Sequence, residues 1–449
     1  MKIGLATLGC KTNHSDAASL AAELLAQGHT VVPFHQCADV YIVHTCTVTQ
    51  KTDYQSRQLI RRAIARNPHA QVIVTGCYAQ VDPEALRTIP GVDFIVGIRE
   101  RQKIPEIIAA EKKPAEAYIL SSSVGERLSW EEGRLPLFSG RTRAYLKVQD
   151  GCNAFCSYCI VPYARGRSRS LPLPDALAQV KELAAKGFKE IVLTGIHLGA
   201  YGEDLVPSLA LLDLLQALEQ ETPHIRIRLS SIEPKEITPS LIDFLAQSKK
   251  VCAHLHIPLQ SGDNGILQSM NRTYSAAFFA DLVNRLAGRI PDLAIGADVI
   301  AGFPGEDEQA FENTMRLLED LPIAYLHVFP FSRRQGTPAM SLPAQIPSQV
   351  IKARCQALRE LGAKKRRLFY SAFKGKKGKV LIESKRDRES GWLKGYSRNY
   401  IPVFIPGGNE FINQELDIEI TEVHEAKVFG KVLARSTFNR TQVCADNNG

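Results

Sequence analysis

Apolar residues fall into three successive patterns along the chain. In the first, short runs rich in Val and Ile alternate with segments whose apolar positions recur at helical spacing. Lys2 to Leu8, Val40 to His44, Val72 to Thr75 and Phe94 to Val96 read as strands, and Ser15 to Ala26 and Gln55 to Ala65 as helices. That alternation predicts an open α/β domain with a mostly parallel sheet. From about Glu111 to Arg141, charge, Pro and Ser mix without sustained periodicity, which predicts a linker.

The second pattern repeats the alternation. Tyr145 to Val148, Glu190 to Leu193, Ile225 to Leu229, Ala253 to Ile257, Ala294 to Val299 and Ile323 to Val328 read as strands separated by helices. Six such units predict a partial (βα)6 barrel, with functional residues gathered at the C-terminal ends of its strands. A basic helix ending near Tyr370 introduces the third pattern. There Lys379 to Glu383, Tyr400 to Ile405 and Glu415 to Val423 alternate like strands of a small antiparallel barrel. The expected domains are residues 1–112, 138–368 and 369–437, and no fixed-period repeat is visible.

Composition narrows the class. At 449 residues the chain exceeds one ordinary hydrophobic core, and 45% hydrophobic with 23% charged residues is a globular balance. A formal net charge of +8 leans only slightly toward a polyanionic partner. No run reaches the ~20 apolar residues needed to cross a bilayer. The apolar start from Ile3 to Leu8 is interrupted by Lys11, Thr12, Asn13 and His14, too soon for a signal peptide. The expected location is the cytoplasm, where clustered members of the ten cysteines serve as metal ligands or reactive groups more readily than as disulfides.

The chemistry concentrates in Gly151-Cys152-Asn153-Ala154-Phe155-Cys156-Ser157-Tyr158-Cys159, directly after a predicted strand. Cys152, Cys156 and Cys159 crowd one loop, as iron–sulfur ligands do, at little cost in loop-closure entropy. Three local thiolates leave one iron open to bind a substrate. A structural zinc site usually needs four paired ligands, and no nearby Cys or His supplies a fourth. Three structural thiols are the remaining alternative. A second set, Cys10, Cys46 and Cys77, follows three predicted strands of the first domain. In a parallel sheet those strand ends share one edge, so the three can converge on a second cluster, although a buried cysteine is commonly only a small core residue.

The Cys-x3-Cys-x2-Cys run resembles the radical S-adenosylmethionine signature. With Gly9 to Asn13, His44 to Thr49, Gly76 to Gln80, Asp150 to Gly166 and Thr194 to Gly202, nearly the whole chain resembles the methylthiotransferase family. It is most similar to the subgroup acting on N6-threonylcarbamoyladenosine at position 37 of tRNA, and its C-terminal module resembles a TRAM domain. The resemblance implies two 4Fe-4S clusters, an auxiliary one on Cys10, Cys46 and Cys77 and a radical one on Cys152, Cys156 and Cys159. It also implies S-adenosylmethionine as cosubstrate, one molecule methylating sulfur and a second generating a 5′-deoxyadenosyl radical. Methylthio transfer to adenine C2 then follows, with no catalytic residue beyond the cluster ligands. Implied partners are the tRNA anticodon loop, a reductant such as flavodoxin or ferredoxin, and a sulfur donor. Thr194 and Gly195 resemble the family's site for the methionine amino group, and Gly302 and Glu306, within Val299 to Glu306, its adenosine side. His44 stands where the family motif has Asn. The rival readings are methylthiolation of a ribosomal-protein aspartate and a noncatalytic RNA-binding iron–sulfur protein.

Lys364, Lys365, Arg366, Arg367, Lys374, Lys376, Lys377 and Lys379 form a run without acidic residues, interleaved with Phe369, Tyr370 and Phe373. Cations that meet phosphates and aromatics that stack on bases would suit a tRNA loop; a solvated helix face over buried aromatics is the plainer reading. Arg165, Arg167 and Arg169 suit either phosphate contact or structural ion pairs. Arg228, Ser230 and Glu233 suit either a cofactor contact or a barrel cap. Cys37, Cys252, Cys355 and Cys444 lack a ligand context, and His197 and His256 are expected to be structural.

Overall fold

The computed structural model describes residues 1–124, 130, 134–135, 142–222 and 225–433. These form two compact units, one reaching Lys365 and the other starting at Arg366.

The first unit opens with β1 (Lys2–Thr7), α1 (Lys11–Ala26), β2 (Thr30–Val32), β3 (Val40–Thr45), α2 (Gln50–Arg66), β4 (Gln71–Gly76), α3 (Cys77–Val81), α4 (Pro83–Arg87), β5 (Phe94–Val96), α5 (Ile104–Ala109) and β6 (Tyr118–Leu120). The six strands make one parallel sheet in the order β2-β1-β3-β4-β5-β6. Every residue of β3 and β4 is buried. Both faces are covered, which is why these strands read as continuous apolar runs rather than as alternation. Separate apolar clusters pack them, Val43, Ile60, Val72 and Val74 in one and Ile3, Leu20, Leu24, Ile42 and Ile73 in the other.

The linker expectation needs correction at one place. Tyr118 to Leu120 is an edge strand in register with Phe94 to Val96. At three residues, with Tyr118 exposed, it is too short to show a period. Much of the rest of that expected linker, and Cys444, lies outside the described residues.

The barrel follows: β7 (Arg143–Lys147), β8 (Gln149–Asp150), α6 (Val161–Arg165), β9 (Arg169–Ser170), α7 (Leu173–Ala185), β10 (Glu190–Thr194), α8 (Leu211–Glu221), β11 (Arg226–Leu229), α9 (Pro239–Gln247), β12 (His254–His256), α10 (Asn264–Ser269), α11 (Ala276–Arg289), β13 (Ala294–Ala301), α12 (Glu308–Asp320) and β14 (Tyr325–Pro330). β7, β10 and β11 pair in parallel, as do β12, β13 and β14. The bridges Ile227 to Val251 and Ser231 to His256 join the two triplets into a partial barrel of six parallel strands. Glu190, fully buried at the start of β10, receives Arg226 at 2.8 Å and Arg228 at 2.7 Å, so the cationic side chains of β11 are neutralised within the sheet.

After α13 (Ser348–Ser371) come β15 (Lys377–Arg386), β16 (Leu393–Ser397), β17 (Pro402–Ile405), β18 (Glu415–His424) and β19 (Lys427–Val432). They close a barrel in the order β15-β16-β17-β19-β18 around Val380, Ile382, Leu393, Val403, Ile405, Leu416, Ile418 and Val428. Phe373 belongs to this core, and Phe369 and Tyr370 pack against it. The aromatics of the basic run are therefore packing residues, and base stacking by Phe373 is ruled out by its burial.

Candidate functional site

Cys10, Cys46 and Cys77 stand just past the ends of β1, β3 and β4, three neighbouring strands of the first sheet. Cys10 precedes α1 and Cys77 begins α3, so each chain turns sharply at its cysteine. Glycine makes the turns: Gly9 has φ 101° and Gly76 φ 97°. A Cβ on Gly9 would lie 2.9 Å from Cys46 Sγ, and one on Gly76 would lie 2.4 Å from the Thr45 carbonyl oxygen. Asn13 fixes the arrangement. Its Nδ2 donates to the Leu8 and Thr45 carbonyls at 2.8 and 3.0 Å, while its Oδ1 lies 4.0 Å from Cys10 Sγ and 3.9 Å from Cys77 Sγ. Burial pushes the Cys77 thiol up to about 12, reinforced by Cys46 and Cys10 and opposed by Arg165. Burial raises Cys46 as well.

The second set sits on the loop after β8. Gly151, φ 74°, lets the chain pass the Arg167 carbonyl, which a Cβ would meet at 2.0 Å. The Cys152 amide donates to the Gly166 carbonyl at 3.1 Å, and Asn271 Nδ2 holds the Phe155 carbonyl at 3.1 Å. Phe155 itself is left-handed, φ 44°, in the tight path between Cys152 and Cys156. Arg272 donates to Cys156 Sγ at 3.2 Å and pairs with Glu233. His197 Nδ1 lies 3.4 Å from Cys152 Sγ with Glu236 on its far side; burial opposes its charge, but these two partners outweigh burial and raise it to about 11. Burial lifts the Cys159 thiol to about 12, with Cys156 and Cys152 adding to the effect.

Such thiols resist ionisation by themselves, and a bound metal centre reverses that by taking the thiolate directly. The spacing distinguishes an ion from a cluster. Among the described residues, the only three metal-binding side chains whose donor atoms all lie within 4.8 Å of one another are His256, Asp298 and His327. Neither cysteine set closes around a single ion at Zn–S distances of about 2.3 Å. Each offers three thiols around a wider space, a donor set that fits a multi-iron cluster.

The other candidates separate. Thr194 ends β10, 1% exposed, and a Cβ on the adjoining Gly195 would meet Gln149 Oε1 at 2.7 Å, so the strand end packs closely against Gln149, whose Nε2 donates to the Gly151 carbonyl beside Cys152. Glu306 is held from within the fold. Its carboxylate accepts from the Gly302 amide and from Arg354, both at 2.8 Å, and a Cβ on Gly302 would strike Ile351 at 2.3 Å. The pair braces α13 against the barrel. Arg228 is spent on Glu190, and Arg169 on Asp150. Arg167 is exposed, over the Phe155 ring. His256 donates to Asp298 at 2.7 Å and meets Tyr325, as a structural histidine does. His44 is fully buried with neither ring nitrogen partnered, and burial holds it neutral by lowering its pKa to about 3. Cys252 and Cys355 are buried and Cys37 exposed.

A cavity of about 230 Å³ is lined by Cys159 of the second set and by Val48 and Thr49, two and three residues past Cys46 of the first. Val48 and Thr49, just beyond Cys46, form one wall, and Tyr158 to Val161, including Cys159, another. Gln260, Asp298, Ile300 and Phe329 complete it from the barrel strands and their ends. Arg272 and Gln149 were invisible to sequence reasoning, ordinary polar residues until the fold brings them to a thiol or a cysteine-bearing loop, and Asn13, though inside the Gly9 to Asn13 motif, had no role assigned.

Family profiles match in three places: Uncharacterized protein family UPF0004 over residues 2–97, the Radical SAM superfamily over 146–318 and the TRAM domain over 372–433. The chain is 40% identical to the threonylcarbamoyladenosine tRNA methylthiotransferase MtaB of Bacillus subtilis, over 92% of each chain. It is 41% identical to the Aquifex aeolicus protein of that name, over 85% of this chain and 93% of the other. To a tRNA-2-methylthio-N(6)-dimethylallyladenosine synthase of Clostridium tetani it is 32% identical over 93% of each. Among solved structures, the radical S-adenosylmethionine methyltransferase TsrM of Kitasatospora setae shares the fold, with TM-score 0.56 at 15% identity over 76% of this chain and 75% of that one. The two converging thiol sets, the partial barrel, the TRAM barrel and these near full-length relatives together establish that the chain belongs to the tRNA methylthiotransferase family of the radical S-adenosylmethionine superfamily.

Proposed function

We propose that the protein adds a methylthio group to C2 of N6-threonylcarbamoyladenosine at position 37 of tRNA. One observation carries this reading: the cavity bounded by Cys159 on one side and by Val48 and Thr49, on the segment that follows Cys46, on the other, which offers a base a place between the two cysteine-bearing segments. Cys152, Cys156 and Cys159 hold the cluster at which S-adenosylmethionine binds, and Cys10, Cys46 and Cys77 hold the auxiliary cluster. When bound, these groups supply the radical and sulfur chemistry that an inert C2–H bond demands.

The chain's own residues position and shield. Thr194 and Gly195 bound the cosubstrate space, Tyr158 and Ile300 wall the base, and Gln260 and Asp298 offer it polar contacts. The hydrogen bonds from His256 and His327 keep the Asp298 carboxyl well below its usual range although burial opposes this, so it remains an acceptor. The C-terminal barrel and exposed Lys374, Lys376 and Lys377 take the tRNA backbone. A low-potential protein reductant and a sulfur donor complete the reaction in the cytoplasm. The relatives named for threonylcarbamoyladenosine have higher identity than the dimethylallyladenosine synthase, which favours the former substrate.

The test is mass spectrometry of tRNA nucleosides from a strain lacking the gene. The methylthio derivative of threonylcarbamoyladenosine should vanish and its unmodified precursor accumulate, with methylthiolated dimethylallyladenosine unchanged. Loss of the latter alone would transfer the assignment to the other substrate.

A further inference from the structure

Arg165, at the end of α6, is fully buried six residues beyond Cys159, yet its side chain leaves the barrel loop and reaches the other thiol set. Nη2 donates to Asn13 Oδ1 at 2.6 Å, the same oxygen that lies within 4.0 Å of both Cys10 Sγ and Cys77 Sγ. Nη2 also meets Asp16 at 3.0 Å, and Nη1 meets Asp150 at 2.8 Å. Nε is buried without a hydrogen-bond partner. Asp16 in turn binds Lys147 at 2.6 Å and Arg101 at 3.0 Å, while Asp150 binds Lys147 at 3.1 Å and Arg169 at 3.0 Å. A plain structural pair would not need its cation to share, with two thiols, the oxygen of Asn13.

We propose that Arg165 is a positioning residue that carries a fixed positive charge from the Cys152 loop to the Cys10, Cys46 and Cys77 site and sets the reduction potential of the group held there. The inference rests on the assignment of a cluster to those three cysteines. Cluster potentials follow local charge and hydrogen bonding to sulfur, and a buried guanidinium favours the more negative, reduced state. Guanidinium is the suitable cation, since it stays charged when buried and divides its donors among Asp150, Asp16 and Asn13. The same residue gives the radical loop a rigid connection to the auxiliary thiols.

The experiment uses the full chain with Cys152, Cys156 and Cys159 replaced by Ala, so that a single cluster remains, and follows its midpoint potential by redox titration with electron paramagnetic resonance. Arg165→Gln should lower the potential by ~59 mV or more, a tenfold change in the one-electron equilibrium. Arg165→Lys, which keeps the charge, should restore most of it. If Arg165→Gln fails to fold, Asp150→Asn supplies the test with the opposite sign: it leaves Arg165 in place, removes one counter-charge and should raise the potential. A potential unmoved by Arg165→Gln, or unmoved or lowered by Asp150→Asn, overturns the proposal and leaves Arg165 as a structural ion pair. Absence of any cluster before Arg165 is altered would instead defeat the cluster assignment on which it rests.

Discussion

Gly9 controls how closely Cys46 can approach the turn that carries Cys10. Its left-handed backbone and the 2.8 Å separation between a built Cβ and Cys46 Cβ leave no room for a side chain. Gly9→Ala should therefore reduce auxiliary cluster content while sparing formation of 5′-deoxyadenosine at the other site. Iron and sulfide analysis beside a cleavage assay checks this; full iron content would mean that the strand end relaxes freely. At this scale the sequence was legible where chemistry is carried by a residue type that stands out, as in the six cysteines. It was illegible where the partner comes from far along the chain: Arg272 to Cys156 spans 116 residues, and Arg165 to Asn13 spans 152. Glu306 adds to this, since its carboxylate accepts from Arg354, 48 residues along the chain, as well as from the nearby Gly302 amide.

Strands that carry long apolar runs were readable as elements: β3 and β4 lie within one or two residues of the expected Val40 to His44 and Val72 to Thr75. β2 and β6 have only three residues each, partly exposed, too short to show a period, and β16 and β19 were not read although their burial alternates. The central strand β10 makes a prediction of its own. Burial pushes the Glu190 carboxyl up, but Arg228, Arg226 and Arg143 outweigh it and bring it down to about 2, against 4.5 when free. The unfolded chain then takes up the proton first on acidification. This stabilisation is complete above about pH 4.5 and is lost as pH falls toward 2. Glu190→Gln strands buried cations and should cost about 3 kcal/mol at neutral pH. Denaturant unfolding of variant and parent should converge between pH 4.5 and 2, and a gap that widens on acidification would refute the ion-pair account.

For the molecule as a whole, the basic run divides into cations held by oxygen acceptors and cations exposed at the surface, Lys376 among the latter lying over the Phe373 ring. Lys365 donates to the Glu319 and Leu321 carbonyls, and Lys379 pairs with Asp417 at 3.0 Å, whereas Lys374, Lys376 and Lys377 are exposed. Replacing these three by Ala should weaken tRNA binding and flatten its salt dependence by roughly 0.7 to 0.9 per lost contact. Lys379→Ala should do less, because Asp417 already screens it. Filter binding across a salt series checks both. Unchanged affinity and slope for the triple variant would make these lysines a solvated face. The central claim is a division of labour between two thiol sets. Its most direct measurement follows 5′-deoxyadenosine and methylthiolated nucleoside together, in one reaction of reconstituted protein with S-adenosylmethionine, reductant and tRNA bearing threonylcarbamoyladenosine. With Cys10, Cys46 and Cys77 replaced by Ala, 5′-deoxyadenosine should still form and the methylthio product should be absent; with Cys152, Cys156 and Cys159 replaced, neither should form. Complete methylthiolation by either variant would contradict the account.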